Sequence, residues 1–216
     1  LLVTYWRQAT PTRTWQGVDM AEIVLIRHGE TEWSKSGQHT GRTDIPLTRN
    51  GRKRAAELEP LLRHRAFGLT LSSPMERARD TAKLAGLTPD GIDDDLVEWD
   101  YGAWEGRTTP DIRVELGDPN WVIWDHPIPP GKTPGETTDE VALRCHRVIE
   151  RCVPVLDAGR DCALIAHGHV LRILTATWLG LHSDAGRLFM LEAGALSSLG
   201  FERTQHVITG WNQTPE

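Results

Sequence analysis

Two histidines in this chain each follow a short apolar run and precede a glycine. Ile23-Val24-Leu25-Ile26 leads into Arg27-His28-Gly29-Glu30-Thr31, and Ala163-Leu164-Ile165-Ala166 leads into His167-Gly168-His169. An apolar, β-branched run ending at a turn residue reads as a buried strand, so both histidines are expected at the carboxyl end of a strand. Ligands of open α/β sheets bind at that edge, where the strand ends open into a crevice. An imidazole with a bare ring nitrogen is a nucleophile, and a neighbouring guanidinium clamps anions, so His28 beside Arg27 suits attack on an anionic group. Either histidine alone is more simply a hydrogen-bonded core or turn residue. Two at matched positions favour one shared site.

Two further stretches carry the complementary chemistry. Leu69–Ser72 reads as a strand, Ser73-Pro74 as the entry to a helix, and Arg77 falls in its first turn, where backbone N–H groups already attract negative charge. Glu98-Trp99-Asp100-Tyr101-Gly102-Ala103-Trp104-Glu105-Gly106 is a glycine-punctuated loop. Its carboxylates Glu98, Asp100 and Glu105 could each reach the site. Arg27, Arg77 and His167 would cage a phosphoryl group under attack by His28, and one carboxylate would protonate the leaving alcohol.

In this order the segments resemble the phosphoglycerate mutase-like histidine phosphatase superfamily. The resemblance rests on Arg27 to Trp33, Gly41 to Thr48 with Gly51, and Ser72-Ser73-Pro74 with Arg77-Ala78 and Thr81. It continues through Glu98 with Tyr101-Gly102 and His167-Gly168, from Ile23 to about Gly200. It implies a phosphomonoesterase of acid phosphatase type that hydrolyses small phosphate monoesters through a phosphohistidine, with no metal and no cofactor. The matching positions make His28 the nucleophile, with Arg27, Arg77 and His167 around the phosphoryl group. Spacing to Tyr101-Gly102 makes Glu98 the proton donor rather than Asp100 or Glu105. Ser34, Thr40, Gly41, Tyr101, Gly168 and His169 are expected to line the substrate site. His167-Gly168-His169 has no matched carboxylate or cysteine partner, which argues against zinc, and no Walker loop calls for nucleotide or magnesium.

Two departures separate the chain from the mutases of that superfamily. Ser34 stands where mutases usually carry asparagine. Trp124-Asp125-His126 stands where mutases carry Trp-Arg-Arg to hold a substrate carboxylate. An aspartate there is repulsive, and the surrounding loop is shorter, so a phosphatase is expected ahead of a phosphoglycerate mutase. Lys132, Arg107 or Arg113 from that loop could restore the missing charge. A silent phosphate-binding or interaction module is the alternative from another class, and the joint presence of nucleophile and acid argues against it.

The elements that must position these residues follow from periodicity. Thr48 can cap a helix bearing Ala55, Leu58, Leu61 and Leu62, and a second helix covers Met75–Ala85. Leu87–Leu96 reads as turns, with Asp93-Asp94-Asp95 as a solvated face. A long helix begins at Thr137 or Thr138, because Val141, Cys145, Val148, Ile149, Cys152 and Val155 repeat at three and four, and Pro154 should kink or end it. Strand Cys162–Ala166, a helix over Val170–Leu179 and strands Ser197–Phe201 and Val207–Thr209 close the chain. Strands alternating with helices imply an α/β fold, with a mostly parallel central sheet covered by helices on both faces. Residues 30–47 read as a loop, and the Pro-, Gly- and Trp-rich residues 107–135 as an inserted lid-like segment.

Composition bounds the remaining classes. The 216 residues fit one domain, expected over 20–216, with 1–19 as an extension that is poorly ordered. A formal charge of −6 argues against nucleic acid, and no apolar run reaches membrane-spanning length. Three cysteines without metal spacing suit reduced thiols in a cytoplasmic setting. The expected partner is a small phosphate monoester, and a homodimer is left open. Trp33, Trp99 and Trp104 could wall a pocket or simply pack their loops. The histidines at 39, 64, 126, 146, 182 and 206 carry no motif and read as surface or packing residues.

Overall fold

In the computed structural model, which describes residues 21–215, the run at 23–27 forms strand β1 (Ile23–Arg27). Its side chains alternate between two cores, which is why no polar face interrupts the run. Ile23 and Leu25 pack into one core cluster, Val24 and Ile26 into the other. The remaining elements are α1 (Glu32–Ser36), α2 (Arg49–Glu57), α3 (Glu59–Leu62), β2 (Phe67–Ser72), α4 (Glu76–Leu84), β3 (Gly91–Ile92), α5 (Thr109–Leu116), α6 (Thr138–Asp157), β4 (Asp161–Ala166), α7 (Gly168–Trp178), β5 (Leu196–Glu202) and β6 (Gln205–Gln213). The extension expected over residues 1–19 lies outside the described residues.

The six strands form one sheet in the order β3-β2-β4-β1-β5-β6. The pairs β3/β2, β2/β4 and β4/β1 are parallel, whereas β5 and β6 add as an antiparallel pair on the β1 edge. The register brings the motif residues level. Arg27 faces Ala166 across β1/β4, and Ser72 faces Ile165 across β2/β4. The ladders run one residue further, with His28 N–H donating to Ala166 O (3.0 Å) and Ser73 N–H to Ile165 O (2.9 Å). Three parallel strands thereby deliver His28, Ser73 and His167 to one edge.

Helices cover both faces. α6 buries Val141, Cys145, Val148, Ile149, Cys152 and Leu156 in the larger core, with α7 beside it. Thr137 and Glu140 form a capping box at its start. Pro154 does not end α6, which continues to Asp157. A proline one turn from a helix end removes a single internal hydrogen bond, and the buried Leu156 holds the last turn down. Cys145, Cys152 and Cys162 are buried and free. No helix among the described residues is long and apolar enough to cross a membrane.

Three sequence expectations change in the structure. Residues 30–47 include the short helix α1, fixed by a reciprocal capping box between Thr31 and Ser34 and a left-handed Gly37 at its end. Residues 107–135 include α5, whose periodicity is faint because it buries only Ile112. Ile112, Trp121 and Ile123 from this segment pack into the larger core. Of Asp93-Asp94-Asp95, expected as a solvated face, only Asp94 is exposed. Asp93 and Asp95 are mostly buried and pair with Arg151 (3.2 and 2.8 Å), and Asp95 also pairs with Arg147, tying this turn to α6.

Candidate active site

His28 sits at the sheet edge with its ring buried. Its Nδ1 lies 2.7 Å from Gly29 O. A carbonyl oxygen only accepts, so Nδ1 carries the proton and Nε2 presents a bare lone pair. Burial first, then the Arg77 and Arg27 charges, push the imidazole well below its usual range and hold it neutral. The turn that carries it needs glycine on both sides of a close contact. A Cβ on Gly29 would lie 2.4 Å from Gly51 O, and one on Gly51 would lie 2.1 Å from Glu30 O. The first turn of α2 is therefore pressed against the His28 loop, with Gly29 N–H also donating to Thr81 Oγ1 at 3.0 Å.

His167 lies 5.1 Å from His28, ring centre to ring centre. Its Nδ1 accepts from Arg77 Nε at 3.1 Å, leaving Nε2–H to donate to Ser73 Oγ at 2.7 Å. Burial, Arg77 and His28 depress its pKa strongly. Arg77 is fully buried on α4, and its other donors reach Thr43 O (2.9 Å), Gly41 O (3.1 Å) and Thr40 O (3.3 Å), with Asp44 at 3.7 Å. Arg27 differs. One terminal nitrogen donates to Leu191 O at 2.5 Å, but its buried Nε has no partner. Arg77 thus ties the 40–44 loop to His167, while Arg27 retains donors for a ligand.

The three candidate carboxylates separate by what they hold. Glu98 accepts at Oε1 from Trp99 N–H (2.9 Å) and Val170 N–H (2.8 Å), and at Oε2 from His169 N–H (2.9 Å). It thereby closes the N-terminus of α7, where unsatisfied N–H groups favour an acceptor. Glu105 accepts from Gly41 N–H and Thr43 N–H (both 2.9 Å), bracing the loop. Asp100 accepts from Gly102 N–H (2.9 Å) and Thr133 Oγ1 (2.5 Å) and pairs loosely with Arg42.

Of the expected substrate contacts, Ser34 Oγ is committed to the α1 capping box, and Thr40 Oγ1 donates to Gln38 O at 3.0 Å. Gly41 N–H is held by Glu105. Gly168 lies against Arg27, whose guanidinium carbon would be 3.2 Å from a Cβ there. Tyr101 OH meets His169 Nδ1 at 2.5 Å. His169 is walled by Trp124, Trp99 and Tyr101, at 5.0, 5.6 and 5.7 Å between ring centres, with His39 at 6.5 Å.

Sequence reasoning missed Arg172, whose guanidinium lies 4.8 Å over the Trp124 ring. Its signal was the spacing from His169, since positions three apart share a helix face. Asp125 pairs instead with Arg187 (2.6 Å), and His126 stacks on Trp121. Of the three loop cations that could compensate, Arg107 pairs with Glu115 and Arg113 Nε donates to Trp121 O, whereas Lys132 is exposed. Among the described residues, no group of three or more His, Cys, Asp or Glu is arranged to hold a metal ion.

Four histidines here are kept neutral by burial, His39 down to about 4 and His28, His167 and His169 well below 6.5. The unfolded chain binds their protons near pH 6.5, and the folded chain does so only at lower pH. Their contribution to stability is therefore full above pH 6.5 and lost as the pH falls toward the folded values. The melting temperature should fall between pH 6.5 and 4, with each histidine contributing at most ~1.4 kcal/mol per pH unit. A melting temperature flat over that range would contradict the buried, neutral assignment.

A family profile described as the histidine phosphatase superfamily (branch 1) matches residues 23–214. The chain is 36% identical over 188 residues to an acid phosphatase of Mycobacterium tuberculosis, covering 86% of this chain and 89% of that protein. It is 34% identical over 165 residues to a 2,3-bisphosphoglycerate-dependent phosphoglycerate mutase 2 of Gloeobacter violaceus, covering 72% and 74% respectively. The solved structure of the Rv3214 open reading frame of Mycobacterium tuberculosis superposes with a TM-score of 0.84 at 34% identity, covering 92% of this chain and all of that one.

Proposed function

The chain belongs to the histidine phosphatase superfamily (branch 1), and from that premise we propose that it hydrolyses small phosphate monoesters, in the manner of an acid phosphatase, through a phosphohistidine at His28. What supports the reading most is the ring orientation of His28. Its Nδ1–H is engaged by Gly29 O, so the unprotonated Nε2 is the atom left to attack phosphorus. The Nε2 lone pair forms the N–P bond as the P–O bond to the leaving alcohol breaks. Glu98 gives its proton to that oxygen. Water then attacks the phosphohistidine, Glu98 takes the proton back, and inorganic phosphate leaves with His28 neutral again. Arg27, with donors to spare, balances charge on the phosphoryl oxygens, and Arg77 and His167 add positive potential and a fixed polar wall. The charge comes from guanidinium groups, so the reading calls for no metal ion.

A phosphoglycerate mutase is the second reading, favoured by the Gloeobacter relative and by Arg172, which brings a cation beside Trp124. A mutase must anchor its dephosphorylated intermediate and exclude water until the phosphoryl group returns. Two of the five N–H donors of Arg172 are held by Gly186 O (3.0 Å) and Arg187 O (2.9 Å). Asp125 stands where mutases carry an arginine of their Trp-Arg-Arg element, so one partly engaged cation faces a site that needs two. Phosphate release is therefore expected from p-nitrophenyl phosphate and from a panel of alkyl monoesters. Interconversion of 2- and 3-phosphoglycerate should be negligible, with or without bisphosphoglycerate primer. Interconversion faster than hydrolysis under the same conditions would make the chain a mutase.

A further inference from the structure

The loop that carries Glu98 is held on both sides by one ion pair. Arg144, buried on α6, meets Glu136 with two parallel bonds, Nε to Oε1 at 3.0 Å and Nη2 to Oε2 at 3.1 Å. Its Nη1 donates to Asp95 O (2.7 Å) and Val97 O (2.5 Å), just before Glu98. Glu136 holds the far side. Its Oε2 accepts from Asp100 N–H (2.9 Å), its carbonyl oxygen accepts from Trp99 Nε1–H (2.7 Å), and its own N–H donates to Asp100 O (3.0 Å). Glu98 makes no hydrogen bond to either member, yet Val97, Trp99 and Asp100 are each bonded to the pair.

Stability alone is a poor account of such a pair. Taking both charges out of water costs about as much as their attraction gains, and a well-packed apolar pair often serves as well. An apolar pair, however, cannot bond to backbone. Arg144 engages four of its five donors, two of them on carbonyls 49 and 47 residues upstream. Residues 97–100 lie in no strand or helix, so the ladder bonds that would otherwise fix them are missing. Glu98 depends on that placement. Of the three N–H groups it accepts from, Trp99 N–H belongs to its own loop, whereas His169 N–H and Val170 N–H belong to α7. The carboxylate therefore bridges loop and helix, and a loop shift of about 1 Å would misdirect its open Oε2 site, enough to cost a large part of the proton transfer.

We propose that Arg144 and Glu136 are positioning residues for proton transfer. Through the 95–100 loop they fix where Glu98 stands, without themselves touching the substrate. The step they serve is the passage of the Glu98 proton to the leaving oxygen as its P–O bond breaks, so the proposal rests on Glu98 acting as the acid.

The test is the leaving-group dependence of the pre-steady-state burst. Arg144→Met should slow phosphorylation by alkyl phosphates about 10- to 100-fold, and by p-nitrophenyl phosphate no more than about threefold, since nitrophenolate leaves without the proton. General loosening of the fold would slow both alike. Because Arg144→Met strands the charge of Glu136, the double variant Arg144→Met/Glu136→Gln removes that charge and keeps an acceptor for Asp100 N–H. It should show the same split at a higher melting temperature than the single variant. Arg144→Lys, which keeps the charge but not the fork, should fall between wild type and Arg144→Met. In a Glu98→Gln background, Arg144→Met should slow the alkyl burst by less than about threefold more, because no proton is left to place. Arg147→Gln removes an exposed pair to the Asp95 side chain on the same turn and should leave both rates within about twofold of wild type. Equal loss with both leaving groups, or a full Arg144→Met effect on top of Glu98→Gln, would overturn the positioning role. If the wild type forms no phosphoenzyme, or Glu98→Gln shows no leaving-group dependence, the proposed function has failed in its nucleophile or its acid. Amide hydrogen exchange then decides the clamp: protection lost in Arg144→Met by residues 95–100 and 169–170 alone upholds it, and loss across α6 and β4 as well overturns it.

Discussion

Alanine at His28 is expected to abolish the phosphoenzyme and to lower turnover by roughly 10⁴–10⁶-fold. Brief incubation of the wild type with a labelled ester should trap a species that is acid-labile and base-stable, as an N–P bond requires. The fold should survive the change, because the position is held by its backbone: His28 N–H donates to Ala166 O, and His28 O accepts from Gly194 N–H. What alanine removes is the ring, its hydrogen bond to Gly29 O and the bare Nε2. His169→Ala is the control. His169 lies two residues beyond His167, but its Nδ1 is taken by Tyr101, so its loss should leave phosphoenzyme measurable. Equal labelling of His28→Ala protein would place the nucleophile elsewhere.

The second large effect concerns Glu98. Each carboxylate oxygen offers two acceptor sites. Oε1 has both filled, by Trp99 and Val170 N–H, whereas Oε2 holds only His169 N–H. In the proposed role, the remaining site on Oε2 is where the proton to be transferred would be carried. Glu98→Gln should slow phosphorylation by alkyl phosphates by about 10²–10⁴-fold. The same step with p-nitrophenyl phosphate should suffer far less, since nitrophenolate leaves without a proton. Because the amide also turns a donor toward His169 N–H, some geometric cost falls on both substrates, and the comparison between them cancels it. Dephosphorylation can limit both, so the comparison belongs in a pre-steady-state burst. Glu105→Gln should instead loosen the 41–43 loop with no preference between leaving groups. A larger leaving-group dependence for Glu105→Gln than for Glu98→Gln would exchange their roles.

Much of the frame could be read without coordinates because its signals are local. β1 and β4 are short apolar runs buried on both sides, and α6 repeats its apolar residues at three and four over 20 residues. Thr48 announced α2 by accepting from Gly51 N–H. The elements that escaped are those with little buried surface. α1 buries no residue and α5 only Ile112, so neither shows a periodicity, and only their capping boxes and terminal left-handed glycines mark them. The Asp93–Asp95 turn escaped for a different reason: the arginines that neutralise it lie more than 50 residues downstream on α6.

The sequence by itself determined which reactive side chains exist and that each of two histidines must end a strand, since strand and turn preferences act over a few residues. Register placed those histidines side by side, and only the tertiary structure decided what each group has left to give. Arg77 and His167, 90 residues apart, spend their hydrogen bonds on each other and on loop carbonyls, while Arg27 keeps a buried Nε unpaired. Glu98 is set apart from Glu105 and Asp100 by a helix N-terminus some 70 residues further along the chain. The cation beside Trp124 is Arg172 from α7, which no signal in the 107–135 segment announces. Hydrogen-bond capacity is finite, and which donors and acceptors remain free depends on partners that only the folded chain brings within 3 Å.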